Sequence, residues 1–157
     1  MESYLDWLQG LPISIWINES ESLWGYPLVL FLHSVGMALS AGLAMVIDLR
    51  LCGLGRPLPI SSLRKLFPIF WGGFVVNAAS GSLLFMAAAA STGYVPMYYA
   101  KLTMVLFGLL AMRPIRAFVD GDGADADIPT RVKALAAASF LLWTGVIATG
   151  RLIAYVK

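Results

Sequence analysis

The sequence SLWGYPLVLFLHSVGMALSAGLAMVI, residues 22–47, decides the fold because it contains no Asp, Glu, Lys or Arg. A helix needs about 20 apolar residues to cross a hydrocarbon core about 30 Å thick, and this stretch exceeds that length. Three further apolar stretches follow it, and only 13% of the 157 residues are charged, against about 25% in an average soluble domain. We therefore predict an all-α integral membrane four-helix bundle, a single domain over residues 1–157.

The helical segments can be bounded from the apolar runs and the prolines. We predict spans over about residues 23–49, 66–90, 96–112 and 132–155. Pro114 should end the third span, because proline disrupts a helix interior. Residues 3–18 are too short and too broken by Gly10 and Pro12 to span, but their tryptophans suit the membrane interface. We predict an N-terminal interfacial amphipathic helix there; the alternative is a frayed amphipathic terminus.

The positive charges are sorted along the chain. Eight of the eleven Lys and Arg residues fall in two connections: Arg50, Arg56, Arg64 and Lys65 in the first, Arg113, Arg116, Arg131 and Lys133 in the second. The positive-inside rule places both connections in the cytoplasm of a bacterial inner membrane and both termini outside. We predict that the acidic tract at residues 120–127 is a solvated loop. It is not a calcium site of the EF-hand type, since it lacks the distal Glu of that motif. No basic patch is interleaved with aromatic residues, so we expect no nucleic-acid partner.

Small residues recur at four-residue spacing in the first two spans. The pairs and triplet are Gly36 with Ser40, Ala38 with Gly42, and Gly73 with Asn77 and Gly81. Such faces let membrane helices approach closely. They serve equally within one chain and between chains, so a homo-oligomer or a place in a larger membrane complex is an expected form of the protein.

His33 is the one histidine of the sequence, and it lies ten residues after Leu23. At about 1.5 Å of rise per residue it is roughly 15 Å from the membrane surface, close to the midplane. An ionisable group at this depth is a functional-site hypothesis by default, and neutral imidazole binds iron, copper and zinc. The two interpretations are a cofactor ligand, which we favour, and a structural histidine with satisfied hydrogen bonds.

The rest of the sequence narrows the choice of cofactor. Zinc and copper sites take several nitrogen or sulfur ligands, whereas this chain has one His and one Cys. Haem iron needs one strong protein ligand, so we predict haem b with His33 as its metal ligand. Met86 is the candidate second ligand, with a group from another subunit or an open position as alternatives. Lys101 and Arg151, nearer the outer surface, are candidate partners of the propionates; otherwise they reach to lipid phosphate and Met86 packs in the core.

The segments WGYPL, LHSVGMAL, IDLRLCGL, FWGGF, SGSLLF and YYAKL resemble an uncharacterised family of small bacterial four-helix membrane proteins over about residues 22–110. A His in span one, an Arg at its end and a Lys that opens span three also resemble, more distantly, the membrane protoporphyrinogen oxidase of the HemJ type. That resemblance implies haem b at His33 with Lys101 nearby. The copper-resistance D membrane family has a similar layout, but this chain departs from both families in having a single His.

These observations lead to three functional hypotheses. The first is a haem-b protein for electron transfer in the lipid bilayer. The second is a porphyrinogen-type membrane oxidoreductase that uses His33 and Lys101. The third is a structural or assembly subunit of a larger membrane complex that binds no cofactor. Whether the chain is an enzyme is left open by the sequence.

Overall fold

The computed structural model describes residues 2–55, 57–121 and 128–156, and every regular element in them is a helix. Four helical segments are long and apolar enough to cross a membrane: Tyr26–Leu51, Ile60–Ala87, Pro96–Asp120 and Thr130–Ile153. The prediction of an all-α chain with four helices of spanning length is thereby confirmed. Arg56 and most of the acidic tract, residues 122–127, lie outside the described residues.

The N-terminal segment forms two short helices, α1 (Glu2–Gln9) and α2 (Pro12–Glu19), where the sequence predicted one helix over residues 3–18. The break has a local cause. Leu11 is extended, as residues before proline usually are, and Pro12 starts the second helix. Both helices bury one side against the bundle through Leu5 and Ile17, and leave aromatic side chains such as Trp7 and Trp16 exposed.

Span one is not a uniform α-helix. It consists of α3 (Tyr26–Met37), a π-helical segment (Ala38–Gly42) and α4 (Leu43–Leu51). The hydroxyl of Ser40 in this segment donates a hydrogen bond to the Gly36 carbonyl of α3, at 2.7 Å. The two halves have different neighbours, because α3 packs on span two and α4 packs mainly on span four.

Spans two, three and four consist mainly of long α-helices. Span two is a 3-10 helix (Ile60–Lys65) continued by α5 (Leu66–Ala87), and a four-residue helix, α6 (Ala89–Thr92), caps it. Span three is α7 (Pro96–Asp120) and span four is α8 (Thr130–Val156).

The predicted end of span three near Pro114 is wrong, since α7 continues to Asp120. Residues after the proline keep the helix in the bundle, because Ile115 and Val119 are fully buried in the main hydrophobic core. The apolar contacts of these roughly two extra turns offset the backbone hydrogen bond that Pro114 cannot donate.

Most of the hydrophobic core lies in one half of the bundle. We call the end of the bundle that holds Arg50, Arg64 and Lys133 the basic end, and the opposite end, with α1, α2 and α6, the amphipathic-helix end. The main core fills the half toward the basic end, and its largest buried side chains include Phe67, Phe70, Met112, Ile115 and Trp143. A smaller cluster of Ile17, Val29 and Ala87 lies at the amphipathic-helix end. His33 lies between the two clusters.

Candidate functional site

The imidazole of His33 is held on α5 by one of its two ring nitrogens. Nδ1 lies 3.1 Å from the Asn77 carbonyl oxygen and 3.3 Å from Ser80 Oγ. The Ser80 hydroxyl donates its own proton to the Val76 carbonyl, 2.6 Å away, so toward His33 it acts as an acceptor. The Asn77 side-chain amide, a donor, also lies 3.4 Å from Nδ1, but the two acceptors are closer and favour the tautomer with the proton on Nδ1.

The other ring nitrogen, Nε2, has no hydrogen-bond partner among the residues that the structure describes. With the proton on Nδ1, Nε2 carries an unused lone pair in a partly buried side chain. Metal-binding histidines commonly donate the second ring N–H to a backbone carbonyl, which fixes the tautomer and the ring orientation. His33 has this arrangement with Asn77.

Close contact between α3 and α5 positions the ring. The side-chain amide of Asn77 donates a 2.8 Å hydrogen bond to the His33 carbonyl. A Cβ at Gly36 would lie 2.6 Å from the Asn77 nitrogen, and a Cβ at Gly81 would lie 3.0 Å from His33 Cε1. The small residues at four-residue spacing therefore allow the close approach that the sequence predicted.

The position of Lys101 along the bundle axis follows from an aromatic contact deeper in the bundle. The Trp143 ring lies edge-on to Phe70, with ring centroids 5.9 Å apart, and a Cβ at Gly108 would lie 3.0 Å from the same indole. These three residues of α8, α5 and α7 therefore share one level. Seven residues further toward the amphipathic-helix end, each of the three helices has risen by about 10 Å.

That rise brings Lys101, Gly150 and Asn77 to a common level. The Lys101 side chain lies along α8, because a Cβ at Gly150 would be 3.3 Å from Nζ. Its positive charge is close enough to act on His33. Among the described residues the ammonium group has no hydrogen bond and no ion pair. His33 and Lys101 thus offer an unused lone pair and an unpaired cation at one depth.

Met86 and Arg151 are less closely connected with this site. Met86 lies nine residues beyond Asn77 on α5, about 13 Å further along the helix and on the opposite face, because each residue advances an α-helix by about 100°. The structure therefore does not bring Met86 onto the face of α5 that holds His33. Arg151 follows Gly150 at the level of Lys101, and its side chain is exposed.

The site is not enclosed by the described part of the chain. Two open grooves lie elsewhere on the described part of the chain, and one of them, of about 380 Å³, is lined by Leu23, Trp24, Pro27, Leu28 and Phe31. No group of three or more His, Cys, Asp and Glu side chains lies together in the described residues. A metal at His33 would take its other ligands from a cofactor or from another chain.

Asn77 and Ser80 are the residues whose connection with His33 the sequence did not reveal. The available signal was two polar side chains three residues apart in an otherwise apolar span, which indicates one polar face. This spacing does not tell which neighbouring helix the face contacts.

Comparisons with known proteins place the chain in one family. No curated protein and no solved structure matches it, and no relationship to the HemJ type or to the copper-resistance D family is shown. A family model described as a family of unknown function, DUF6644, matches residues 27–156, which include all four spans. The chain therefore belongs to the DUF6644 family.

Proposed function

We propose that the protein binds haem b through Nε2 of His33 and transfers electrons within the membrane. The observation that carries the proposal is the state of the His33 ring, whose Nδ1 is engaged by Asn77 and Ser80 while Nε2 keeps an unused lone pair. A bound haem would supply a one-electron ferric–ferrous couple. The chain would supply the axial nitrogen and a low-dielectric setting, both of which tune the potential of such a couple.

The surroundings of the ring include a group that suits an anionic cofactor. Gly81 leaves room for the imidazole itself, since a Cβ there would lie 3.0 Å from His33 Cε1. Lys101 offers an unpaired ammonium group at the same level, and a charged donor of this kind suits a propionate carboxylate. The exposed Arg151 is a second candidate for the same role.

His33 is the single iron ligand that the geometry favours within one chain. Met86 is on the opposite face of α5 and would have to reach around the helix. We therefore favour an opposite axial position that is open or filled by another copy of the chain. A partner chain would also enclose the ring, which the described part of one chain leaves partly exposed.

An absorption spectrum tests this proposal. Protein produced with ample haem supply and purified in detergent should show a Soret band that shifts on reduction with dithionite. His33→Ala should abolish the band, Lys101→Gln should weaken haem retention several-fold, and Met86→Leu, the matched control, should leave the spectrum unchanged. Folded wild-type protein without a Soret band would overturn the proposal. A low-spin spectrum lost in Met86→Leu would reject our choice of axial ligands.

A structural subunit is the second candidate, and one observation favours it. His33 and Asn77 join spans one and two by hydrogen bonds in both directions, which would hold the helices together without a cofactor. This candidate predicts that wild-type protein binds no haem and that His33→Ala lowers the melting temperature of the pure chain. The same spectra separate the two functions.

We further propose that the protein lies in a bacterial inner membrane with its basic end in the cytoplasm. The support is the charge distribution: Arg64, Arg116 and Lys133 all lie at that end, where α7 ends and α8 begins. Lys and Arg in short loops favour the cytoplasmic side.

A further inference from the structure

Asp48 is the one buried acidic side chain in the spans among the described residues, and the proposed function does not use it. It lies three residues before the end of α4, and its exposed fraction is 0%. Neither carboxyl oxygen has a hydrogen-bond partner among the described residues. The guanidinium of the nearby Arg50 donates a hydrogen bond to the Leu58 carbonyl.

The carboxyl group faces α8, where other polar atoms are also unsatisfied. The hydroxyl of Ser139, itself 0% exposed, is close enough to act on Asp48, although the two groups do not meet in hydrogen-bonding geometry. One helical turn further along α8, the indole N–H of the buried Trp143 has no partner in the described structure. Asp48 thus lies among polar atoms that carry no charge.

Within residues 2–55, 57–121 and 128–156, no cation forms an ion pair with Asp48. On its own helix the neighbouring titratable groups are Arg50 and Cys52, and the Cys52 thiol contacts the Lys133 carbonyl of α8 at 3.7 Å. On α7, Arg116 pairs with Asp120 at the basic end. The Cys52 thiol is close enough to interact electrostatically with Asp48, and on the packed helices the described side chain that acts on the carboxyl group is that of Ser139.

An unpaired carboxylate in this position would be costly, because a charge transferred from water into a protein interior loses several kcal/mol of hydration even after relaxation. A neutral carboxylic acid avoids most of that cost, and a small rotation of the side chains would let its O–H donate a hydrogen bond to Ser139. We propose that Asp48 is a proton-binding site, which holds a proton at neutral pH and exchanges it with the water at the basic end of the bundle.

The position of Asp48 permits such exchange. Three residues of helix separate it from Leu51, a rise of about 4.5 Å, and Cys52 beyond them is partly exposed. A proton therefore has less than two helical turns to travel between the carboxyl group and the end of the span. This inference does not depend on a cofactor at His33.

Infrared spectroscopy of protein in lipid nanodiscs tests the inference directly. With carboxyl-¹³C aspartate, wild-type protein at neutral pH should show a protonated-carboxyl C=O band that carries the isotope shift. Water-exposed aspartates have pKa values of about 3.9 and contribute nothing there. The band should disappear in Asp48→Asn, change frequency in Ser139→Ala, persist in the control Asp120→Asn, and bleach reversibly at alkaline pH.

Two results would overturn the inference. One is the absence of an isotope-sensitive acid band in folded wild-type protein at neutral pH, which would mean that Asp48 is ionised. The other is loss of the band on addition of sodium chloride at constant pH, which would make the site one for a metal cation. If Asp48→Asn does not fold, the frequency change in Ser139→Ala still assigns the band.

Discussion

The two polar sites in the spans, His33 and Asp48, differ in how their side chains are hydrogen-bonded and buried. His33 has one ring nitrogen engaged by α5 and one unused, whereas Asp48 has both oxygens unused and is sealed between α4 and α8. The sequence alone indicates that His33 is exceptional, because it is the one histidine and lies in an uncharged run. It does not reveal the tautomer, which depends on the acceptors of another span. Nor does it reveal that Asp48 is fully buried, because Arg50, only two residues away, suggests a position at the membrane surface.

At this scale we predict the effect of removing the Asn77 side chain. Asn77→Ala deletes the 2.8 Å hydrogen bond to the His33 carbonyl, and side-chain hydrogen bonds between membrane helices contribute about 0.6 kcal/mol on average. We expect a loss of that order in the free energy of unfolding, measured by denaturant titration in mixed micelles. Ser82→Ala is the control, because the Ser82 hydroxyl bonds only within its own helix. Equal losses in both variants would contradict the assignment.

Glycine contacts explain how the helices of spans one and two come together. The spacing of small residues predicted this close approach, and the contacts of Gly36, Gly73 and Gly81 confirm it. Other features of the elements could not be read from the sequence. Pro114 lies inside α7 because the buried Ile115 and Val119 hold the helix in the core, and this tertiary contact overrides a local signal. The π-helical segment has no signature in the residues 38–42 themselves.

Two glycines of span one should respond differently to an added methyl group. A Cβ at Gly36 would lie 2.6 Å from the backbone nitrogen of Asn77, whereas a Cβ at Gly42 would meet nothing within 4 Å. Because a backbone atom cannot move aside cheaply, Gly36→Ala should cost about 1–3 kcal/mol of stability. Gly42→Ala should be neutral or slightly stabilising. Thermal unfolding of both variants in the same detergent measures the difference, and a neutral Gly36→Ala would refute the packing.

The whole molecule is packed unevenly along its length. The basic half is filled by large buried side chains, and Arg64 holds the end of α7 there by donating to the carbonyls of Val119 and Asp120, each at 3.0 Å. The half around His33 is less filled, whereas unpaired polar groups occur in both halves, including Asp48, Ser139 and Trp143 in the well-packed one. Composition and the four apolar runs predicted the four-helix architecture. They did not predict this asymmetry, because it depends on which halves of the spans pack together.

The orientation of the molecule is testable with single cysteines. In a Cys52→Ser background, Ser61→Cys places a thiol at the basic end and Glu21→Cys places one at the opposite end, both at exposed positions. A membrane-impermeant maleimide added to intact spheroplasts should label Glu21→Cys and should reach Ser61→Cys only after lysis. The natural Cys52 is a poor reporter, because burial raises its thiol pKa and lowers the reactive thiolate fraction. The reverse labelling pattern would invert the proposed topology.

The π-helical segment Ala38–Gly42 determines the angle, about the axis of span one, between the directions of His33 and Asp48. Each residue turns an α-helix by about 100° and advances it by about 1.5 Å. If residues 38–42 formed a regular α-helix with no residue deleted, α3 could keep His33 against α5, but α4 would be rotated by about a quarter of a turn, because the wider π turn holds about one more residue than an α turn. Asp48 would then leave Ser139 for a different surface. One additional peptide unit therefore sets the relative direction in which span one presents its histidine and its carboxyl group.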